Sequence, residues 1–199
     1  MAAAGKVCTG FSKPWVALYS ASAGVVTYSG ARQLARGVSV SLNPEEADSN
    51  DFYADNVEAE SVAGTFSGGT VDLVVDGLLQ DAEKMIMGLP AATEVAGVSV
   101  LAYGDDAQPP YVGIGYIGRY MSEGVTTYTP TILTKAKFNI PGAEHATQEE
   151  NISWQTQQLS AALMRDDTAK HNWKYVAAED YSTEKDAEDA LKAILGVTP

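Results

Sequence analysis

The sequence holds one cysteine, Cys8, and two histidines, His145 and His171, in 199 residues. A single cysteine excludes an intrachain disulfide framework and a cysteine-rich metal site. Two histidines far apart in the chain offer no spacing for zinc. Basic residues are scarce: 13 Lys plus Arg stand against 26 Asp plus Glu, for a net charge of −13 and a pI near 4.4. Such a field repels phosphate, which excludes duplex binding by phosphate neutralisation. No apolar run approaches the roughly 20 residues of a membrane span. The first residues, MAAAGKVCTGFSKPW, lack a continuous apolar core, so no secretory signal is expected. The chain reads as a soluble, acidic protein that stays in the cell that makes it.

What is present is apolar content of 45% with 20% charged residues, ordinary for one globular domain spanning 1–199. From Gly37 to Glu83 there is no Lys or Arg, whereas Glu45, Glu46, Asp48, Asp51, Asp55, Glu58 and Glu60 cluster. Short runs rich in Val, Thr and Tyr, punctuated by Gly and Pro, predict a mainly β fold. The runs are Trp15–Tyr19, Gly37–Leu42, Asn56–Thr65, Gly69–Val75, Val95–Ala102, Tyr111–Met121, Thr126–Ile140 and Asn172–Ala178. Within Thr131–Ile140, Ile132, Thr134, Ala136, Phe138 and Ile140 alternate with Leu133, Lys135, Lys137 and Asn139, which predicts one dry and one wet face. Helices are predicted over Leu78–Gly88, with Leu78, Leu79, Ala82, Met85, Ile86 and Leu89 on one stripe, and over Ser182–Leu195. The second has Ser182 or Thr183 as N-cap, early acids and a stop at Gly196. Asn151–Arg165 fits helix by composition and strand by the alternation of Ile152, Trp154 and Thr156. The acidic stretch 43–55, NPEEADSNDFYAD, is expected to be a long loop whose Phe52 and Tyr53 either fold back or land on something else.

Motifs with chemical meaning are weak. Gly113-Ile-Gly115-Tyr-Ile-Gly118 matches G-x-G-x-x-G in form, but a dinucleotide site needs a helix opening behind it. Here the strand pattern continues through RYMSEGVTTYTP, so the glycines are expected to admit a close backbone approach or to lower bulk on a sheet face. No G-x-S-x-G surrounds a serine, and both histidines are expected at the surface. The carboxylate pairs Asp72/Asp76, Asp105/Asp106 and Asp166/Asp167 allow an acid-base pair in form only. Asp48-Ser-Asn50-Asp opens like a calcium loop, but Tyr53 occupies the position that requires glycine. No catalytic residue, metal or cofactor is expected, and the chain does not read as an enzyme.

Four segments then carry a resemblance. Phe52–Ser61 (FYADNVEAES) leads into Gly64–Leu78 (GTFSGGTVDLVVDGL), with Tyr28–Ala31 (YSGA) before and Tyr111–Tyr116 (YVGIGY) after. With the late Trp154 and Trp173 and a terminal helix, these resemble the major tail tube proteins of long-tailed bacteriophages over about residues 10 to 196. Many members add an immunoglobulin-like C-terminal domain, which residues 1–199 do not contain. The resemblance implies two packed antiparallel sheets with a flanking helix, here Leu78–Gly88, and a C-terminal helix, 182–195. It implies six copies per ring, with rings stacked head to tail into a tube. Its partners would be further copies, a tape measure protein and tail-end proteins, with double-stranded DNA passing through the bore unbound and no membrane involved. The location implied is the virion tail, after synthesis in the host cytoplasm.

In that family an N-terminal arm and a long hairpin loop bridge rings, which here implies residues 1–13 and 43–55. The implied inter-ring contacts are Phe11, Trp15, Asp51, Phe52, Tyr53 and Asp55. The bore would be lined by Asp72, Asp76, Lys135 and Lys137, the two lysines pairing with carboxylates of a neighbouring copy. Two alternatives stand beside it, the first sharing the fold that the resemblance implies. One is the tube of a type VI secretion apparatus; the other is a monomeric carbohydrate-binding β-sandwich using Tyr103, Tyr111, Tyr116 and Trp154 as a stacking platform.

Overall fold

The chain reverses on pairs of residues with positive φ. These are Ala23–Gly24 (51° and 77°), Asp55–Asn56 (51° and 64°), Ala96–Gly97 (51° and 78°) and Glu123–Gly124 (49° and 81°). Two-residue turns of this hand match the right-handed twist of the strands they join. The structure, a computed structural model, describes residues 5–143, 145–147 and 154–197. In chain order its strands are β1 (Val7–Ser22), β2 (Val25–Gln33), β3 (Gly37–Glu46), β4 (Asn50–Ala54), β5 (Val57–Val62), β6 (Phe66–Val75), β7 (Thr93–Val95), β8 (Val98–Val100), β9 (Val112–Ser122), β10 (Val125–Phe138), β11 (Gln157–Met164) and β12 (Lys174–Val176). The helices are α1 (Gln80–Met87) and α2 (Glu184–Ile194). Among the described residues the fold is mainly β, 53% strand and 10% helix.

The main sheet runs β2-β1-β9-β10-β11-β6-β3, with β12 added on β10; β4–β5 and β7–β8 are separate hairpins. Its two layers are halves of one sheet. β10 pairs with β9 from Val125 to Ala136 and with β11 from Lys135 to Phe138, so it carries the chain from one layer to the other. Between the layers lie Val16, Leu73, Ile114, Leu133, Phe138 and Leu159, with Ile86 and Met87 of α1 in the same cluster. Each such side chain contributes roughly 1.5–3 kcal/mol by leaving water. Helix α1 ends at Gly88 (φ 62°), whose N–H reaches back to the last turn.

A second, smaller core lies on the outer face of the β1-β9-β10 half. There Ala17, Ile117 and Ile132 meet Ala187, Leu191 and Leu195 of the α2 region. Helix α2 starts at Thr183, whose hydroxyl accepts from the Asp186 N–H.

Two bulges decide which residues face which core. On β10, Leu133 and Ala136 oppose Ile114 and Val112 of β9, so β10 carries one extra residue. The expected alternation through Thr131–Ile140 therefore breaks. Leu133 shares the main core with Ala136 and Phe138, while Ile132 turns to α2. Ile140 lies beyond the strand and is exposed. On β1, Ser12 and Trp15 oppose Ile117 and Gly115, with Lys13 at φ 52° in the bulge. That places Phe11 with Val16 on the main core and Trp15 with Ala17 on α2.

Several expected boundaries change. Val95–Ala102 turns at Ala96–Gly97 rather than running as one strand. The ambiguous segment is strand from Gln157, while 151–153 lie outside the described residues. Residues 1–4 of the expected arm also lie outside them. Residues 7–13 belong to β1, hydrogen-bonded to β9, so they form no free arm.

Candidate assembly surfaces

The glycines of the 113–118 motif are packing devices. A Cβ on Gly113 would sit 2.4 Å from the Tyr28 ring, and one on Gly115 would sit 3.0 Å from Leu191 and Leu195. The motif lies within β9 with no helix behind it, as the strand pattern indicated. Asp72 and Asp76 do not share a site, and neither do Asp166 and Asp167. Asp72 accepts from the Asn43 amide at 3.3 Å, while Asp76 receives Arg36 at the end of β6. The Arg36 guanidinium holds the Asp76 carboxyl below its ordinary range. Asp166 is buried in a polar knot, and Asp167 faces Lys135. Both histidines are exposed. Among the described residues no three His, Cys, Asp or Glu side chains gather into a metal-binding group.

The stretch 43–55 divides in two. Asn43–Glu46 end β3 against β6, and Asn50–Val62 form the β4–β5 hairpin with its tip at Asp55–Asn56. The hairpin base is fixed. The Ala47 N–H donates to the Thr65 carbonyl at 2.8 Å, and Gly64 packs so tightly on the Ala47 backbone that no Cβ would fit. Arg165 donates to Thr65 Oγ1 at 2.8 Å and to the Phe66 carbonyl, and Trp173 stacks on the Phe66 ring at 4.6 Å. Beyond this clamp the hairpin stands in solvent. Phe52 and Tyr53 are 62% and 61% exposed, and Val57 and Val62 are exposed as well. Ser61 donates to Asp51 across the hairpin at 2.5 Å.

The other two expected contacts lie elsewhere. Phe11 meets Tyr116 edge-on at 5.6 Å and fills the space over Gly37. Trp15 is half-buried beside α2, with Lys192 Nζ 4.8 Å from its ring. Phe11 and Trp15 are thus engaged within the fold, unlike Asp51, Phe52, Tyr53 and Asp55, which cluster on the exposed hairpin.

The outer face of the β10-β11-β6-β3 half is small and polar. Register aligns Asn43, Thr70, Ala162 and Lys137 in one row and Ser41, Asp72 and Ser160 in the next. Asp72 and Lys137 belong to this face; Asp76 lies past the strand end. Lys135 departs further from the expected bore lining. Its ammonium is half-buried, 2.7 Å from Asp167 of the same chain and over the rings of Tyr111 (4.7 Å) and Tyr19 (5.1 Å). Lys135, and after it the Tyr19 hydroxyl, holds the Asp167 carboxyl below its ordinary range. No neighbouring copy is required to neutralise this lysine.

The knot around Asp166 had no strong sequence signal beyond the Asp-Asp pair. Asp166 is 2% exposed and accepts from Thr168 N (3.2 Å), Thr168 Oγ1 (2.6 Å) and the Tyr175 hydroxyl (3.1 Å). It fixes the loop between β11 and β12. The four-ring sugar platform is not formed, because Tyr116 is buried at 8% exposure in the main core. Tyr103 is bonded to Glu83 beside α1, and Tyr111 lies under Lys135. No known protein family matches the sequence, and no curated protein is significantly similar to it.

Proposed function

We propose that this protein is a structural subunit that assembles with copies of itself into stacked rings, forming the tail tube of a long-tailed bacteriophage. The observation that carries the reading is the β4–β5 hairpin. It is clamped at its base yet holds two aromatic rings more than 60% exposed at its far end. A monomeric domain gains nothing from aromatic side chains held in water on a fixed support. A second copy would bury them. The sequence resemblance centred on Phe52–Leu78 supplies the kind of assembly.

Two further features agree with it. β2 and β3 end the main sheet with open edges, which sheet proteins ordinarily cover or pair. Edge-to-edge pairing of copies would close them into a ring. The hydroxyl-rich outer face carrying Ser41, Thr70, Asp72 and Ser160 suits a bore, since it offers few cations to hold a phosphate backbone. Head-to-tail contact between unlike surfaces does not close, so rings would extend into a filament.

Negative-stain electron microscopy of the purified protein at low and high concentration tests this. Rings or tubes with a central hole are expected, and dispersed small particles at every concentration would overturn the reading. Replacing Phe52 and Tyr53 together by Ala should leave the melting transition in place and reduce stacking. Tubes of unchanged length and yield in that variant would remove the hairpin from the assembly.

A further inference from the structure

Most of the chain's few cations are already engaged. Lys6, Lys13, Arg36, Lys135, Lys185 and Lys192 each pair with a carboxylate of their own chain. Arg165 serves the hairpin base and Lys174 lies over Trp173. Two that remain stand together. Arg32 of β2 and Lys84 of α1 line one groove of about 360 Å³ where β2 passes α1. Arg32 donates only to backbone carbonyls, Gly30 and Asp81, both at 3.3 Å. Lys84 makes no ion pair among the described residues. The same groove presents the apolar side chains of Leu18, Met85 and Leu89, and one carboxylate, Asp81.

The hairpin is the counterpart of that groove. Residues 45–60 carry seven carboxylates and no cation, with Phe52 and Tyr53 exposed among them. Resting on the tube reading above, we infer that the β2–α1 groove receives the Phe52–Tyr53 end of the β4–β5 hairpin of a second copy. The rings enter the apolar groove, where a buried aromatic anchor contributes most to an interface. Asp51 and Asp55 then approach Arg32 and Lys84, which sets the register of the contact and excludes the reversed orientation.

Disulfide trapping tests this. In a Cys8→Ser background, Tyr53→Cys and Lys84→Cys are combined in one chain and the protein is mildly oxidised under conditions in which tubes form. A ladder of cross-linked species longer than dimers is expected, because each copy donates one hairpin and offers one groove. The single-cysteine variants can yield no more than dimers. A second arm uses charge. Arg32→Glu with Lys84→Glu should abolish tubes while the unfolding midpoint is retained, and adding Asp51→Lys with Asp55→Lys should restore them. Intact tubes without a ladder, and unaffected by the Arg32/Lys84 reversal, would overturn the groove and leave the tube reading standing. Absence of rings and tubes in the unmodified protein, together with no ladder, would overturn both.

Discussion

Asp166 is the only carboxylate buried among the described residues, and three donors converge on it. Removing an acceptor from a buried set costs more than a hydrogen bond contributes on average, because the donors lose water as well. Asp166→Ala is expected to lower unfolding free energy by about 2 kcal/mol, measured by urea denaturation, with Asp166→Asn recovering part of it. The sequence shows only two adjacent aspartates at this point. What separates them is tertiary: one side chain turns inward to Thr168 and Tyr175, the other outward to Lys135. The same limit applies to Lys135 and Lys137. They share a face in the alternation, yet one is an intrachain ion pair and the other is exposed. The glycines at 113 and 115 were more legible, since a strand pattern continuing through them already favoured packing over phosphate binding.

At the scale of elements, hairpins and helices follow from local chemistry, whereas strand faces do not. Helix α2 was readable from its Thr183 cap, early acids and Gly196 stop, and α1 from its apolar stripe and Gly88. The faces of β1 and β10 were not readable, because a bulge adds one residue and reverses the alternation beyond it. Nothing in Lys13–Trp15 (KPW) or Leu133–Ala136 (LTKA) marks where that residue enters; the partner strand decides it. Strand β2 has no clear pattern for a similar reason, its Gly30 and Arg32 interrupting the apolar residues. The seating of α2 depends on the bare backbone of Gly115. Gly115→Val should cost about 1–3 kcal/mol by overpacking and push α2 from the sheet. Its signature would be reduced helical circular dichroism and faster proteolysis between Glu184 and Ile194. Unchanged protection there would show that α2 adjusts without leaving.

For the whole molecule, charge and burial act in one direction at high pH. Burial first, and for Tyr19 and Tyr103 hydrogen bonds to Asp167 and Glu83, raise both hydroxyls to about 12. Burial raises Tyr116 to about 12 and Tyr28 further. An acid whose folded value lies above its unfolded one binds its proton longer in the native state. Stability is therefore full below the unfolded value, near pH 10, and is lost as pH rises through the folded values. A chain already at −13 gains further self-repulsion over the same interval. The thermal midpoint should fall steeply between about pH 10 and about pH 12, with tyrosinate absorbance appearing together with unfolding. A midpoint flat across that range would contradict the burial of Tyr28 and Tyr116.

The sheet order was beyond the reach of any local pattern, because its central pairs join distant segments. Val16 lies beside Ile114, and Ala161 beside Val71. Such contacts set the tempo at which the native chain is reached. The four tight turns can zip their hairpins in microseconds, but β1 must wait for β9, and the loop between them has to close first. During that interval the future edges of β1 and β9 are unpaired and rich in Val, Ile and Gly. In a cell producing many copies at once, those transient edges compete with the mature ones of β2 and β3 for partners. Net charge then acts as a chaperone of sorts, keeping half-folded chains apart until each has closed on itself.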